Sequence, residues 1–125
     1  MFSRYFNSDK RVFAKTYSPD ISYPGKFIYK NDVETSKSRK AFEGKFILLV
    51  NEETISLSEF TAMAFQTADN VITVGNQTAG ADGRNIEIEY LGGYKTSFSG
   101  YGVLYPDGTE TQRKGVKIDV EVNPT

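Results

Sequence analysis

Phe46-Ile-Leu-Leu-Val50, Ser56-Leu-Ser-Glu59 and Val71-Ile-Thr-Val74-Gly75 are the three stretches on which the fold turns. The first is a continuous apolar run of strand length, which predicts a strand buried on both faces. Asn51–Ile55 reads as a loop. Ser56 then opens a helical stretch, with Leu57, Phe60, Ala64 and Ala68 at three- and four-residue spacings along one face. Asp69-Asn70 stops it, and Val71–Val74 is a second buried strand ending at Gly75. Strand, helix and strand within about thirty residues make a βαβ unit, so the two strands are expected to be parallel.

Downstream of Gly75 the hydrophobic period falls to two. Ile86, Ile88 and Tyr90 alternate with Glu87 and Glu89 as a half-exposed strand. Gly92-Gly93 turns the chain, and Tyr94–Ser99 and Tyr101–Tyr105 read as strands on either side of Gly100. Pro106-Asp107-Gly108 is a turn, because Pro presets φ and Gly accepts a positive one. Val116, Ile118, Val120 and Val122 alternate with charged residues as a closing strand.

Upstream of Gly44 the pattern is looser. Ser18-Pro19-Asp20 and Tyr23-Pro24-Gly25 are turn signals, and Arg11–Thr16 and Lys26–Tyr29 are candidate short strands. The expected organisation is an extended arm over residues 1–43, followed by a denser unit over residues 44–125.

Composition narrows the chemistry. At 125 residues, 38% hydrophobic and 14% aromatic, the chain can form a packed core. No apolar run approaches the ~18–20 residues of a membrane span. Residues 1–20 carry Arg4, Asp9, Lys10 and Arg11 without the apolar centre of a signal peptide, and a leader further upstream stays open. Cysteine and histidine are both absent, which excludes disulfides, thiolate sites and the commonest general base. The net charge of -1 divides into +5 over residues 1–45 and -6 over residues 46–125. The positive charges are scattered, with only Lys37-Ser-Arg39-Lys40 clustered, so nucleic acid is not expected as a partner.

Ser56 stands where a buried strand gives way to a helix. There, unpaired backbone N–H groups and the helix dipole can hold a developing oxyanion. Ser56-x-x-Glu59 is also a capping box, in which the two residues bond each other's backbone N–H, and Ser58 could cap equally. On the local pattern alone the cap is the stronger reading, because most S-x-x-E sequences before an apolar face are only caps.

A longer pattern adds to it. Gly44-Lys-Phe-Ile-Leu-Leu-Val-Asn51, Thr54-Ile-Ser-Leu-Ser-Glu59 and Val74-Gly75-Asn-Gln-Thr78-Ala-Gly80 together resemble the C-terminal processing (tail-specific) serine peptidases. That family's relatives include the tricorn core and the interphotoreceptor retinoid-binding proteins. Tyr105-Pro-Asp-Gly108 and Gly115-Val-Lys-Ile-Asp119 are similar to its closing elements. The resemblance implies an α/β, ClpP/crotonase-like core fragment, with the βαβ unit followed by a β-rich C-terminal segment. It implies a serine-type endopeptidase acting on protein or peptide substrates, without a cofactor or metal. Ser56 would be the nucleophile and the backbone N–H of Leu57 one oxyanion-hole donor. The second donor would come from an N-terminal part of the same protein, and oligomerisation is left open. The resemblance also favours an extracytoplasmic location.

Two positions depart from the pattern. The general-base lysine expected after T-x-G is replaced by Ala81, whose methyl group accepts no proton. Gln112-Arg113-Lys114 fills the stretch where tricorn-like members would carry an assisting carboxylate. With no histidine, the base must lie elsewhere, or the unit is a catalytically inactive peptide- or ligand-binding module on the same fold. Glu52-Glu53 reads as solvated loop acid, Asp82 between Gly80 and Gly83 as a turn, and Asp119 as a surface or loop-tethering acid rather than a catalytic one. Tyr90, Tyr94, Tyr101 and Tyr105 read as amphipathic strand residues, some able to line a groove.

Overall fold

The computed structural model describes residues 5–122; residues 1–4 and 123–125, at the ends of the two expected segments, lie outside the described residues. In chain order these form β1 (Val12–Pro19), β2 (Phe27–Tyr29), β3 (Val33–Glu34), β4 (Phe46–Val50), α1 (Leu57–Phe65), β5 (Val71–Gly75), β6 (Asn85–Glu89), β7 (Lys95–Ser99), β8 (Gly102–Leu104) and β9 (Val120–Glu121). The architecture is mixed sheets with one helix among the described residues. That helix is too short to cross a membrane.

The βαβ unit forms as its sequence predicts. β4 and β5 run parallel from Phe46 opposite Val71 to Val50 opposite Gly75, and β9 joins β5 in parallel. Helix α1 covers one face, burying Ala62, Met63 and Ala64 in a core with Val50, Val103, Tyr105 and Val116. Leu48 and Phe60 pack against that core, and the small alanines allow the helix to lie close.

The second face differs from expectation. Ile47, Leu49, Ile72 and Val120 are exposed rather than buried, with Leu49 at 75%. The register sets Ile47 opposite Ile72, Leu49 opposite Val74 and Val74 opposite Val120, so they form one apolar surface. The unbroken apolar run is chemically fit for two covered faces, but the described residues cover only one. Leu57 also departs, being 71% exposed instead of on the core side of α1. Ala68 lies beyond the helix, which ends at Phe65.

The N-terminal segment lies on this same core. β1 is the hub of a second sheet, antiparallel to β2, β3 and β8. It buries Phe13 and Ala14 in the core, with the Phe13 ring 4.9 Å from that of Phe60. Phe6 stacks on Phe46 at 4.5 Å and meets Phe65 edge-on at 5.3 Å. Arg11 closes the end of α1: its guanidinium donates to the Thr67 carbonyl at 2.7 Å and pairs with Asp69. A cation there complements the negative end of the helix dipole.

β6 and β7 form an antiparallel hairpin in which every residue but Ile86 is exposed. The closing strand is shorter than its alternation predicts, since only Val120–Glu121 pairs. Upstream of it the backbone bonds elsewhere. The Val116 N–H donates to Thr78 Oγ1 at 3.0 Å and the Lys117 N–H to the Tyr105 hydroxyl at 2.9 Å. Asp119 is the tether its sequence suggests: its carboxylate accepts the Thr73 N–H at 2.8 Å.

Candidate active site

Where β4 ends, the chain turns sharply into α1. The Ile55 carbonyl accepts the Ser58 N–H at 3.1 Å, closing a four-residue turn with Ser56 second. Ser56 has φ 55° and ψ −117°. This matches the second position of a type II′ turn, about +60° and −120°, which glycine usually fills. A non-glycine residue held there costs on the order of 1–3 kcal/mol, and such strain gathers at functional sites. The turn leaves Ser56 exposed at the carboxyl end of the parallel sheet. Leu57 is the first residue of α1, so its N–H has no acceptor within the helix.

Glu59 holds this turn in place. It is fully buried, and four donors converge on its carboxylate. Oε2 accepts the Ser56 N–H at 3.0 Å, the returning arm of a capping box, and the Ala81 N–H at 3.0 Å. Oε1 accepts the Thr78 hydroxyl at 2.5 Å and the Gly80 N–H at 2.8 Å. One side chain thus fastens the Ser56 turn to the loop after β5, and through Thr78 to Val116. The cap reading of S-x-x-E is correct but incomplete. The spacing signals a local bond, and the three distant donors leave no local trace.

A pocket of about 250 Å³ opens beside Ser56, lined among others by Thr16, Phe60, Asp82, Arg84 and Tyr101. Asp82 is 4% exposed. Its Oδ1 accepts the Gly83 N–H at 2.7 Å, whereas Oδ2 is buried without a hydrogen-bond partner. Burial pushes the carboxyl up to about 6, with the Glu59 charge adding to the rise and the Gly83 bond opposing it. Reading Asp82 as a turn residue missed this. Its flanking glycines describe the loop's conformation, and nothing in their spacing reports the burial.

Of the remaining candidates, Tyr101 reaches this pocket and the acidic ones named next do not line it. Glu52, Glu53, Glu87 and Glu89 are exposed, and Lys95 pairs with Glu87. Tyr101 lines the Ser56 pocket, but Tyr105 belongs to the core, where its hydroxyl donates to Gln66 at 2.7 Å. Burial raises that phenol to about 12. Tyr105 also lines a larger cleft of about 410 Å³ that shares no residue with the Ser56 pocket. Ala81 sits at the rim of the Glu59 cradle, joined through its N–H. Among the described residues, no cluster of His, Cys, Asp or Glu could hold a metal ion.

Asp82 should weigh against stability. Its folded-state value, about 6, lies above the ordinary 3.8, so the folded chain binds the proton more tightly. The penalty is therefore absent below about pH 4, grows between the two values and is complete above about pH 6. Asp82→Asn keeps Oδ1 for Gly83 and should stabilise the chain by roughly 1–3 kcal/mol at pH 7.5, after allowance for partial solvation. Urea unfolding at pH 7.5 and pH 4 measures this; the gain should vanish at the lower pH.

The sequence model of peptidase family S41 matches residues 3–122. No curated protein matches the chain. Among solved structures, a candidate peptidase from Parabacteroides merdae superposes with a TM-score of 0.89 at 22% identity, over 99% of this chain and 39% of its own. The photosystem II D1 C-terminal processing protease matches with a TM-score of 0.67 at 19% identity, over 98% of this chain and 30% of its own. A lipoprotein from Streptococcus agalactiae gives 0.61 at 17% identity, over 98% and 43%. The chain therefore spans less than half the length of these structures.

Proposed function

The chain belongs to peptidase family S41, and from that premise we propose that it carries the nucleophile segment of a serine-type endopeptidase of the C-terminal processing kind. Ser56 is the nucleophile, and the backbone N–H of Leu57 is one donor to the oxyanion. In this reading the fold is ClpP/crotonase-like, and residues 44–125 form the C-terminal part of the catalytic domain. Residues 1–43 are the extended segment laid over it. Protein or peptide chains are the substrates, and another part of the same protein supplies the second oxyanion donor.

The observation that carries this reading is the backbone of Ser56, held at φ 55° between a parallel strand and a helix. A capping serine needs no such conformation, because cap residues ordinarily lie in the β region. A turn that lifts the hydroxyl out of the strand line, next to an unpaired helix N–H, is the arrangement acyl transfer requires.

Ser56→Ala in the full-length protein should lower peptide hydrolysis by at least about 10³-fold while leaving the melting temperature within a few degrees. Turnover at the unaltered rate would refute the nucleophile role. The second reading, an inactive binding module, draws on Ala81, which stands where the resembling peptidases carry their lysine. Covalent capture of a fluorophosphonate at Ser56 separates the two, since a binding module takes up none.

A further inference from the structure

Four aromatic side chains line a second cleft, outside the core. Tyr17 of β1, Phe27 of β2, Phe98 of β7 and Tyr101 of the β7–β8 connection border about 420 Å³, with Arg113 at one side. Phe27 and Phe98 are half exposed. The walls are set by their own contacts. The Tyr17 ring lies where a side chain on Gly102 would go, and it meets the Phe27 ring edge-on at 5.4 Å. Lys30 stands 4.2 Å over the Tyr101 ring, and its N–H donates to the Thr16 carbonyl at 2.8 Å. Phe98 is paired with Ile86 across the hairpin, on its apolar face. A cleft of this size, walled by rings already in position, suits a bulky apolar side chain.

The cleft adjoins the Ser56 pocket, because Tyr101 lines both. A run of hydrogen bonds measures the separation. The Arg113 N–H donates to the Gly80 carbonyl at 2.6 Å, and the Gly80 N–H to Glu59 Oε1 at 2.8 Å. Glu59 Oε2 accepts the Ser56 N–H at 3.0 Å. With the covalent spans inside Gly80 and Glu59, the Arg113 and Ser56 nitrogens lie at most about 14 Å apart. An extended peptide covers that distance in about four residues.

We propose that this aromatic cleft is a remote subsite for the peptide substrate, seating a bulky aromatic or aliphatic side chain about three to five residues from the bond cut at Ser56. The cut rests on Ser56 being the nucleophile; the seat for the side chain does not. Tyr17, Phe27 and Phe98 take no part in the Ser56 pocket, so the cleft adds selectivity without shaping the reacting centre. A side chain held there is bound equally in the ground and transition states, and its loss appears in KM rather than kcat.

The test has a binding arm and a cleavage arm, both on the full-length protein. The binding probes are two fluorescein-labelled dodecapeptides of alternating alanine and serine, one with a phenylalanine at its centre. By anisotropy on the Ser56→Ala protein, the phenylalanine peptide should bind at least about tenfold more tightly. Phe27→Thr and Phe98→Thr, each added singly, should erase most of that difference. Leu91→Ser, at a fully exposed residue outside the cleft, should keep it. In the cleavage arm the protein with Ser56 intact cuts a random pool of decapeptides, and the products are sequenced. Aligned on the cut, bulky apolar residues should concentrate at one position about three to five residues away, and both threonine variants should flatten that peak. Equal binding of the two probes, or a difference that survives both threonine variants, overturns the subsite. Cuts without a preferred position at that distance sever the cleft from Ser56 and overturn it too. A binding difference erased by the variants, with no cleavage by the unaltered protein, upholds the cleft and removes the nucleophile reading instead.

Discussion

Glu59→Ala should cost the chain at least about 4 kcal/mol, a large share of its total stability. The variant strands the N–H groups of Ser56, Gly80 and Ala81 and the hydroxyl of Thr78, all of which face the Glu59 carboxylate. A buried donor left without an acceptor costs about 1–3 kcal/mol, and water entering the vacated space recovers only part of four such losses. Against a total stability of about 5–15 kcal/mol, that is decisive. Glu59→Gln separates packing from hydrogen bonding. It preserves volume, but its amide nitrogen must face two donors, so it should fall between the two at about 2–3 kcal/mol. Urea denaturation of the three proteins, followed by circular dichroism, gives the order directly. Equal stability of all three would mean that the carboxylate does not fasten the Ser56 turn.

The second large effect lies at the end of β5. Gly75 has φ 147°, and a methyl group on it would overlap the carbonyl oxygen of Val50, its partner in the parallel ladder. The Gly75 carbonyl also accepts the Val122 N–H at 2.8 Å, so three segments converge on this residue. Gly75→Ala combines backbone strain of about 1–3 kcal/mol with overpacking of about the same size. The expected loss is about 3–5 kcal/mol. Val50 leads directly into the Asn51–Ile55 loop, so activity in the full-length protein should fall further than the melting temperature alone explains. Stability within 1 kcal/mol of the original, by the same denaturation, would show that β4 can draw back at no cost.

The βαβ unit was legible because its signals are local. Phe46–Val50 and Val71–Gly75 have strand length and composition, and Ser56-x-x-Glu59 marks where a helix begins. What escaped was set by distant contacts. Leu57 has the right spacing for the core side of α1, yet it projects outward because the tight turn at Ser56 fixes where the first helical residue points. Val116–Asp119 alternates like a strand, but Thr78 and the Tyr105 hydroxyl capture its N–H groups before a ladder can. Asp82 looks like an ordinary turn acid, and only the folded chain shows that it is buried. Glu59 was legible as a cap and illegible as a junction. A capping box needs one partner three residues away, and its bonds to Thr78, Gly80 and Ala81 span about twenty residues of intervening chain.

The exposed face of the β4–β5–β9 sheet bears on how the chain behaves in solution. Ile47, Leu49, Ile72 and Val120 form a greasy plate on a chain of almost zero net charge. Net charge repulsion between molecules does little to keep two such plates apart. Sulfate and other strongly hydrated salts sharpen the tendency for such plates to meet, and urea below the unfolding range relaxes it. In colloidal terms this plate is an adhesive patch, and a cover laid over it would remove that patch's share of the chain's stickiness.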